Sequence, residues 1–427
     1  MSAPATKVRI LHFADVHLGV ESLGKLNPET GLNTRLEDFT QTLNQAIDRA
    51  LDAQVDLALF AGDAYKARDP NQTHQRSFAS ALKRLTDAGV PVVMLIGNHD
   101  IPNSRGRAHA LEIYGLLGGE TSGVQIIAKP DVIAVETRQG TVLVAGVPYL
   151  VRSRVVSQDE SKGKTVEEVA HLIRDKYAAY IADLARQVSE VPDYLAILMG
   201  HFTVAEARVG WQNFLLNANE PQVPVEAITL PGTNGVSPWD YVAMGHVHKH
   251  QEMNRGQEPP VIYPGSTDRI DFNERGEDKG IVLADIIKGK ASWKHVPLQT
   301  RRFVQIDADA GDAPDPTAAI LAQIDKYPVL DSVVKLNYKV PTERAMLVRP
   351  DELRKRLSAA HVIVSLQRDM PPGEGVIRVD GMSETMTPEV ALGKYLDAQP
   401  RLSASRDELI AAARTLFDRL AHEESLG

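Results

Sequence analysis

The chain has 427 residues, of which 43% are hydrophobic and 24% charged, and it contains no cysteine. The length and composition indicate a globular protein of two or three domains. The absence of cysteine excludes disulfides, cysteine nucleophiles and thiolate metal sites. The formal net charge of −9 argues against a free-standing nucleic-acid binder, although bound cations or a partner subunit would offset it. The N-terminus has no signal-peptide core and no apolar run approaches about 18 residues, so we expect a cytoplasmic protein outside membranes.

Short apolar runs alternate with helical stretches through the first 300 residues. Buried strands are predicted at 8–13, 55–60 and 90–96, with helices over about 36–53 and up to Asp87. Further strands are predicted at 132–135, 141–147, 195–199, 241–244, 261–263, 281–287 and 292–297, with a helix at 164–188. This order is typical of βαβ units in an α/β layered core.

The chain changes character near residues 299–303. Strands at 303–306, 332–340 and 362–367, with helices ending near 326 and 359, predict a small α+β unit. Residues 371–386 are rich in proline, glycine and polar side chains and are predicted to be a linker. Two helices follow, one beginning at Thr387-Pro388 and one at Ser405 with a capping box. The expected domains are therefore 1–300, 301–370, the linker 371–386 and 387–427.

Five short motifs each follow a predicted strand. They are Asp15-Val16-His17, Gly62-Asp63, Gly97-Asn98-His99-Asp100, Gly200-His201 and Gly245-His246-Val247-His248. Because ligands bind at the carboxyl ends of strands in open α/β sheets, we expect the five segments to meet in one pocket. Residues two apart in extended chain point to the same face, as in the Asp15–His17 and His246–His248 pairs, and the glycines would permit sharp turns.

The motifs supply enough ligands for two adjacent divalent ions. The candidates are Asp15, His17, Asp63, Asn98, His201, His246 and His248. A mixture of carboxylate, imidazole and amide favours Mn²⁺, with Zn²⁺, Fe²⁺ or Mg²⁺ as alternatives, and Asp63 is the predicted bridging carboxylate. Such a centre suits hydrolysis of a phosphate ester.

The remaining histidine of the motifs, His99, is predicted to protonate the leaving oxygen or to stabilise transition-state charge. We expect Asp100 to orient the His99 ring and to raise its pKa. A single Asp-x-His or Gly-His would be structural in most proteins, whereas five motifs in this order are specific. His12 is interpreted as a core residue or a support for the ligands. The other histidines, interpreted as packing or surface residues, are His250, His295, His361 and His422.

These motifs resemble those of the calcineurin-like metallophosphoesterase superfamily. The flanking segments LHFADVHLG, FAGDAYKARDP, IGNHD, MGHFTV, AMGHVHKHQ and YPGSTDRIDFNERGEDKG are similar to the SbcD-type, or Mre-type, nuclease subunits. The resemblance covers residues 8 to about 303 and rests on domain order beyond that. It implies a four-layer β-sandwich flanked by helices, followed by a capping domain at 301–370 and a C-terminal helical pair.

The resemblance also implies roles for single residues. Asp15, His17, Asp63 and His248 fall at one metal position of the family, and Asp63, Asn98, His201 and His246 at the other. His99 matches the family's catalytic histidine and Asp100 its neighbour. The second motif departs from the usual Gly-Asp-x-x-Asp, because Lys66 occupies its last position. Lys66 either contacts a phosphate or is a plain exposed lysine, and Asp69 is a candidate for compensating the lost carboxylate.

The resemblance also implies three partners, which are DNA, a second copy of the chain, and an SbcC-like ATPase of the SMC family. Candidate DNA contacts are Arg105, Arg107, Arg152, Arg154, Arg269 and Arg275, with Arg269 the best placed. Apolar residues at helical spacing predict ATPase docking by the C-terminal helices, the alternative being packing on the chain's own body. They are Leu392, Tyr395, Leu396, Leu409, Leu416, Phe417 and Leu420.

Three functions remain open at the level of sequence. The first is a Mn²⁺-dependent DNA exonuclease and endonuclease subunit acting in double-strand-break repair. The second is a small-molecule phosphoesterase, such as a nucleotide or cyclic-nucleotide hydrolase, which the metal motifs alone allow equally well. The third is a non-catalytic scaffold, against which the complete ligand set and His99 argue.

Overall fold

The computed structural model describes residues 3–102, 106–116, 123–208, 220–230, 235–369, 388–397 and 406–414. The chain divides into two compact units. The first contains residues 1–304 with 330–333, and the second contains residues 305–329 with 334–427. The first unit carries all five motifs.

A mixed six-stranded sheet forms one half of the first unit, in the order β14-β13-β1-β2-β3-β4. Its strands are β1 (Lys7–Phe13), β2 (Leu57–Phe60), β3 (Val92–Leu95), β4 (Val124–Ile127), β13 (Gly280–Ile287) and β14 (Lys290–Pro297). Strands β1 to β4 run parallel, while β13 is antiparallel to β1 and to β14. The carboxyl ends of β1, β2 and β3 therefore lie at one edge of the sheet.

A second mixed sheet of six strands has the order β11-β12-β10-β7-β6-β5. Its strands are β5 (Asp131–Thr137), β6 (Gly140–Val147), β7 (Leu195–His201), β10 (Tyr241–Gly245), β11 (Gln251–Glu252) and β12 (Val261–Tyr263). Strands β6, β7, β10 and β12 are parallel, and the outer strands β5 and β11 are antiparallel to their neighbours. Two short parallel strands, β8 (Thr203–Val204) and β9 (Gln222–Val223), pair separately.

Three apolar cores hold the two sheets and their helices together. Successive side chains of β1 point to opposite faces of the sheet. Ile10 therefore packs in a core shared with Ile197 of the other sheet, and Leu11 packs in a core shared with helices. Helices α1 (Thr34–Asp52) and α2 (Gln72–Asp87) cover the first sheet. Helix α6 (Val166–Ser189), which begins with a capping box between Thr165 and Glu168, covers the second.

Both units contain further short elements. Among the described residues, the first unit also contains the helices α3 (Glu112–Leu116), α4 (Arg152–Val155), α5 (Gln158–Ser161) and α7 (Val225–Thr229) and a 3₁₀ turn at Phe272–Gly276. The second unit is built on a three-stranded sheet of β15 (Phe303–Asp309), β16 (Val333–Lys339) and β17 (Val362–Asp369). Its helices are α8 (Pro316–Ile324), a 3₁₀ turn at Thr342–Leu347, α9 (Pro350–Arg356), α10 (Pro388–Asp397) and α11 at 406–414.

The predicted α/β core is confirmed as two mixed sheets flanked by helices. Strand β4 and the small parallel pair were not predicted, because neither has a long apolar run. The proposed linker 371–386 lies outside the described residues. No helix within the described ranges is both long and apolar enough to cross a membrane.

Candidate metal centre

The predicted ligands all lie where strands end. Asp15, Asp63 and Asn98 come two or three residues after β1, β2 and β3, which are neighbours in the first sheet. His201 is the last residue of β7, and His246 follows β10 directly, which is paired with β7 in the second sheet. The two sheets thus bring five strand ends to one place, as sheet topology requires for parallel neighbours.

One cluster contains Asp15, His17 and His248. A ligand atom from each lies within 4.8 Å of the others. His17 Nε2 is 3.1 Å from His248 Nε2 and 3.9 Å from an Asp15 oxygen. Two imidazole nitrogens at that distance beside a carboxylate are a donor arrangement that a divalent cation fits.

A second cluster contains Asp63, His201 and His246, with Asn98 beside them. The Asn98 Oδ1 atom is 3.1 Å from both His201 Nε2 and His246 Nδ1. Asp63 joins the two clusters, since its Oδ2 lies 3.4 Å from His201 Nε2 and 3.6 Å from His17 Nε2. A carboxylate between two groups of nitrogen donors suits a bridge between two metal ions.

The ligand backbone is strained. Four of the proposed ligands have positive φ angles, Asp15 at 52°, His17 at 49°, Asp63 at 62° and His246 at 93°. Residues other than glycine rarely adopt this region, and such conformations concentrate at functional sites. The surrounding hydrogen bonds hold them there, including His246 N–H to both Asp15 oxygens at 3.0 and 3.1 Å.

The motif glycines act mainly by leaving space. Of the four, only Gly62 has the positive φ that favours glycine over other residues. At Gly97 a Cβ atom would lie 2.1 Å from Asp63 Oδ1, and at Gly245 one would lie 2.0 Å from the Ala61 carbonyl oxygen. A side chain at either position would displace a ligand or the strand that carries it.

Hydrogen bonds on the far side of the rings fix which nitrogen faces the centre. His201 Nδ1 lies 2.6 Å from the Ala61 carbonyl oxygen, and His248 Nδ1 lies 2.8 Å from Glu274 Oε1. Each Nδ1–H therefore donates outward, and Nε2 is the ring nitrogen that faces the other ligands. His246 is reversed, since Glu220 binds its Nε2 and Nδ1 faces Asn98.

The buried charges stabilise one another. Burial opposes ionisation of Asp63, but the adjacent His201 and His17 hold its pKa well below the usual range. Burial likewise disfavours a charged His201, yet Asp63 raises the pKa of that imidazole to about 9. Asp63 therefore stays ionised despite its burial, and its negative charge is available to a bound cation.

The His99 ring is oriented by a different partner from the one predicted from the sequence. Its Nδ1 lies 3.0 Å from the Lys66 carbonyl oxygen, and its ring is 4.9 Å from the His17 ring. Burial, with a contribution from the Lys66 charge, lowers the His99 pKa. The expectation that Asp100 orients the His99 ring and raises its pKa is therefore wrong.

Asp100 instead organises the main chain. Its two oxygens accept hydrogen bonds from the backbone N–H groups of Asp63 and Gly97 at 2.9 Å and of Ala64 at 3.1 Å. Burial, reinforced by Asp63, raises the pKa of Asp100 to about 7. Because three donors occupy its oxygens, Asp100 joins the second and third motifs and does not reach the reacting side of the pocket.

Lys66 contributes through its backbone. Its N–H donates to the Leu18 carbonyl at 3.0 Å, and its carbonyl accepts from His99. Its side chain is exposed, and Asp69, the proposed substitute carboxylate, lies 3.9 Å from Arg107. A contact between Lys66 and a substrate phosphate stays a prediction.

Glu220 and Glu274 are part of the centre and were missed by sequence reasoning. Each binds the outward nitrogen of one histidine of the fifth motif, Glu220 at His246 and Glu274 at His248. Each lies 26 residues away from its histidine in sequence, so no local spacing rule reveals it. The one available signal was that Glu274 falls in the segment 263–280, YPGSTDRIDFNERGEDKG, which resembles the nuclease subunits.

The predicted DNA-contact arginines separate into two groups. Arg269 is committed to the fold, since its guanidinium donates to Thr300 Oγ1, to the Arg301 carbonyl and to the Glu277 carbonyl. Its selection as the best-placed DNA contact stays a prediction. Arg107, Arg152, Arg154 and Arg275 are exposed. Arg154 donates to the Pro102 carbonyl and Arg275 lies over the Phe272 ring, while Arg105 lies outside the described residues.

Other predicted residues take the following places. His12 is a buried core residue, bonded to Tyr241 Oη and the Met244 carbonyl, as expected. In the C-terminal helices Tyr395 and Leu409 are exposed and Leu392 is half-buried. Leu396 is only 3% exposed, so it is unavailable to a partner, which corrects that prediction. The described residues do not include Leu416, Phe417 and Leu420.

Comparison with known proteins gives a family for this geometry. Residues 8–250, more than half of the chain, match the model for calcineurin-like phosphoesterases. The SbcD component of the nuclease SbcCD from Bacillus subtilis is 27% identical over 304 residues, covering 69% of this chain and 70% of the relative. The DNA double-strand break repair protein Mre11 of Thermoplasma acidophilum is 25% identical over 306 residues, covering 70% and 68%.

Among solved structures, a dimetal phosphatase from Danio rerio superimposes with a TM-score of 0.42 and 9% identity, over 69% of this chain and all of that one. The family match and the His/Asp cluster together establish a dimetal, metal-dependent phosphoesterase. The chain belongs to the calcineurin-like metallophosphoesterases and is distantly homologous, at about 25% identity over about 70% of its length, to the SbcD and Mre11 nucleases.

Proposed function

We propose that the chain is a Mn²⁺-dependent DNA nuclease subunit that cleaves phosphodiester bonds as an exonuclease and endonuclease in double-strand-break repair. Residues 1–300 would be the nuclease domain, 301–370 a capping domain and 387–427 the segment that docks on an SbcC-like ATPase. A second copy of the chain is the further expected partner. The named relatives support this proposal, since they are a nuclease component and a break-repair protein.

The observation that carries the proposal is the position of Glu274. It belongs to the segment 263–280, which resembles the nuclease subunits and which phosphatases of the superfamily do not usually carry. In the structure Glu274 binds His248, one of the proposed ligands, at 2.8 Å. The nuclease-like segment is thus part of the metal centre's own support rather than a remote addition.

The side chains can divide the chemistry as follows. Asp15, His17, Asp63 and His248 would hold one ion, and Asp63, Asn98, His201 and His246 the other. The bound ions would supply Lewis acidity to the phosphate oxygens. His99, with Nδ1 donating to the Lys66 carbonyl, directs Nε2 away from that bond and is the proposed group for moving a proton at the leaving oxygen.

The test uses the purified full-length chain with Mn²⁺ and three substrates: linear duplex DNA, single-stranded DNA and p-nitrophenyl phosphate. We expect nucleotides to be released from DNA and this release to be lost in His99→Ala. Turnover of the monoester without degradation of DNA would contradict the nuclease proposal and favour a small-molecule phosphoesterase. Adding an SbcC-type ATPase in a parallel reaction distinguishes a partner requirement from a lack of nuclease activity.

A further inference from the structure

Lys279 is a buried cation beside the metal centre. Its side chain is 0% exposed, and its Nζ lies 2.7 Å from Glu274 Oε2, 2.8 Å from Glu277 Oε2 and 3.0 Å from the His248 carbonyl oxygen. Burying an ammonium group is unfavourable unless it is paired and fully hydrogen-bonded. The three acceptors provide that pairing, so the position of Lys279 is closely determined.

Glu274 connects this lysine to His248. One carboxylate oxygen accepts from His248 Nδ1 at 2.8 Å, and the other accepts from Lys279 and from the Ile270 backbone N–H at 2.9 Å. Lys279 also binds the carbonyl of His248 itself. The histidine is thereby held at its ring and at its backbone by one pair of residues, which leaves little freedom for the metal-facing nitrogen.

The other two histidines with an outward hydrogen bond have weaker supports. His201 donates to a neutral carbonyl, that of Ala61. His246 is bound by Glu220, which has no lysine or arginine within 4.0 Å in the part of the chain that the structure describes. Only His248 combines a carboxylate partner with a buried cation that fixes the carboxylate, among the described histidines of the centre.

We propose that Lys279 is a positioning residue that, through Glu274, sets the affinity of the metal position formed by Asp15, His17 and His248, and so makes the two metal positions unequal. An outer carboxylate on a ligating histidine changes metal affinity by about 10–100-fold. Lys279 preserves this gain in metal affinity because it holds the Glu274 carboxylate in the orientation that accepts a hydrogen bond from His248 Nδ1–H. The proposal rests on the dimetal centre and not on the identity of the substrate.

The experiment measures binding of Mn²⁺ alone to full-length chains by titration calorimetry at fixed pH, with thermal melting to verify folding. Wild-type protein should bind two ions in two affinity classes. Lys279→Met should weaken one class by about 10–100-fold and change the other less than about threefold. Asp15→Asn, which alters a ligand of the position in question, identifies the affected class because it should remove the same one.

Glu274→Gln is the second variant. It keeps the shape of the side chain, so it still tests the proposal if Lys279→Met does not fold. It should weaken the same class as Lys279→Met. Glu220→Gln is the matched control on the other histidine and should affect the opposite class. The proposal is overturned if folded Lys279→Met or folded Glu274→Gln binds both ions as wild type does, or if either variant weakens both classes equally.

Discussion

The metal ligands and the arginines predicted to contact DNA were selected from the same sequence, but the structure treats them differently. The ligands converge because each follows a strand whose neighbours are fixed by the two sheets. The arginines lie on loops and short helices, where Arg269 is bound by three acceptors and Arg275 is exposed over Phe272. Sheet topology makes a strand end predictable, whereas a loop side chain depends on partners that are distant in sequence.

The largest effect is expected for His99→Ala, which should reduce turnover by about 10²–10⁴-fold, as removal of an acid–base group does. Metal content should stay at two ions per chain, because the ring faces Lys66 on one side and is proposed to face the substrate on the other. The check is the turnover number together with metal analysis of the same sample. Loss of one ion would mean instead that His99 is a ligand, since one of its atoms lies within 4.8 Å of His17 and Asp63 donors.

Asp100→Ala should destabilise the protein by about 3 kcal/mol or more, because it leaves three buried N–H donors without their acceptor. The measurement is chemical denaturation of the metal-free protein. Asp69→Ala serves as control, since Asp69 is exposed and its 3.9 Å ion pair with Arg107 contributes little. A stable Asp100→Ala protein that has lost only activity would restore the role first predicted for Asp100, that of orienting His99.

A pH effect is expected from His12. Burial lowers its pKa to about 3. The unfolded chain therefore binds a proton below its ordinary pKa of about 6.5 while the folded chain does not, so stability falls as the pH falls. Between pH 7 and pH 5 the contribution is about 2 kcal/mol.

Urea denaturation of chelator-treated protein at the two pH values tests this. His12→Gln should lose about 2 kcal/mol less than wild type over the same interval. Equal losses in the two proteins would show that His12 is not the source of the pH dependence.

The smallest effects are expected for Arg269→Ala and Arg275→Ala, which should differ from each other. Arg269→Ala should destabilise the fold by about 1–3 kcal/mol, because it leaves the carbonyl oxygens of Arg301 and Glu277 without this donor. Arg275→Ala should leave stability unchanged and, if it meets a DNA phosphate, reduce the salt slope of DNA binding by about 1. Denaturation and salt-dependent binding of the two variants are the measurements. A salt-slope change for Arg269→Ala with unchanged stability would reverse this assignment.

Much of the fold follows from the sequence because apolar runs such as those around Ile10, Leu59 and Ile197 mark strands buried on both faces. The same runs locate Asp15, Asp63 and His201, which lie at the ends of these strands or within three residues of them. Strand β4 was missed because its residues are only partly buried at one edge of a sheet.

The supports of the ligands were harder to predict for a different reason. Glu220, Glu274 and Asp100 act through hydrogen bonds that form only when distant segments are packed together. The positive φ angles of Asp15 and His17 likewise arise from tertiary constraint, since neither residue type requires them. Residue type and spacing identify donors, and the fold determines what orients them.

We expect the five strand ends to form one dimetal centre bridged by Asp63. The most direct test is anomalous diffraction from crystals of the chain soaked in Mn²⁺. We predict two peaks on either side of the Asp63 carboxylate, one among Asp15, His17 and His248 and one among Asn98, His201 and His246. A single peak, or peaks bound by other residues, would contradict the account.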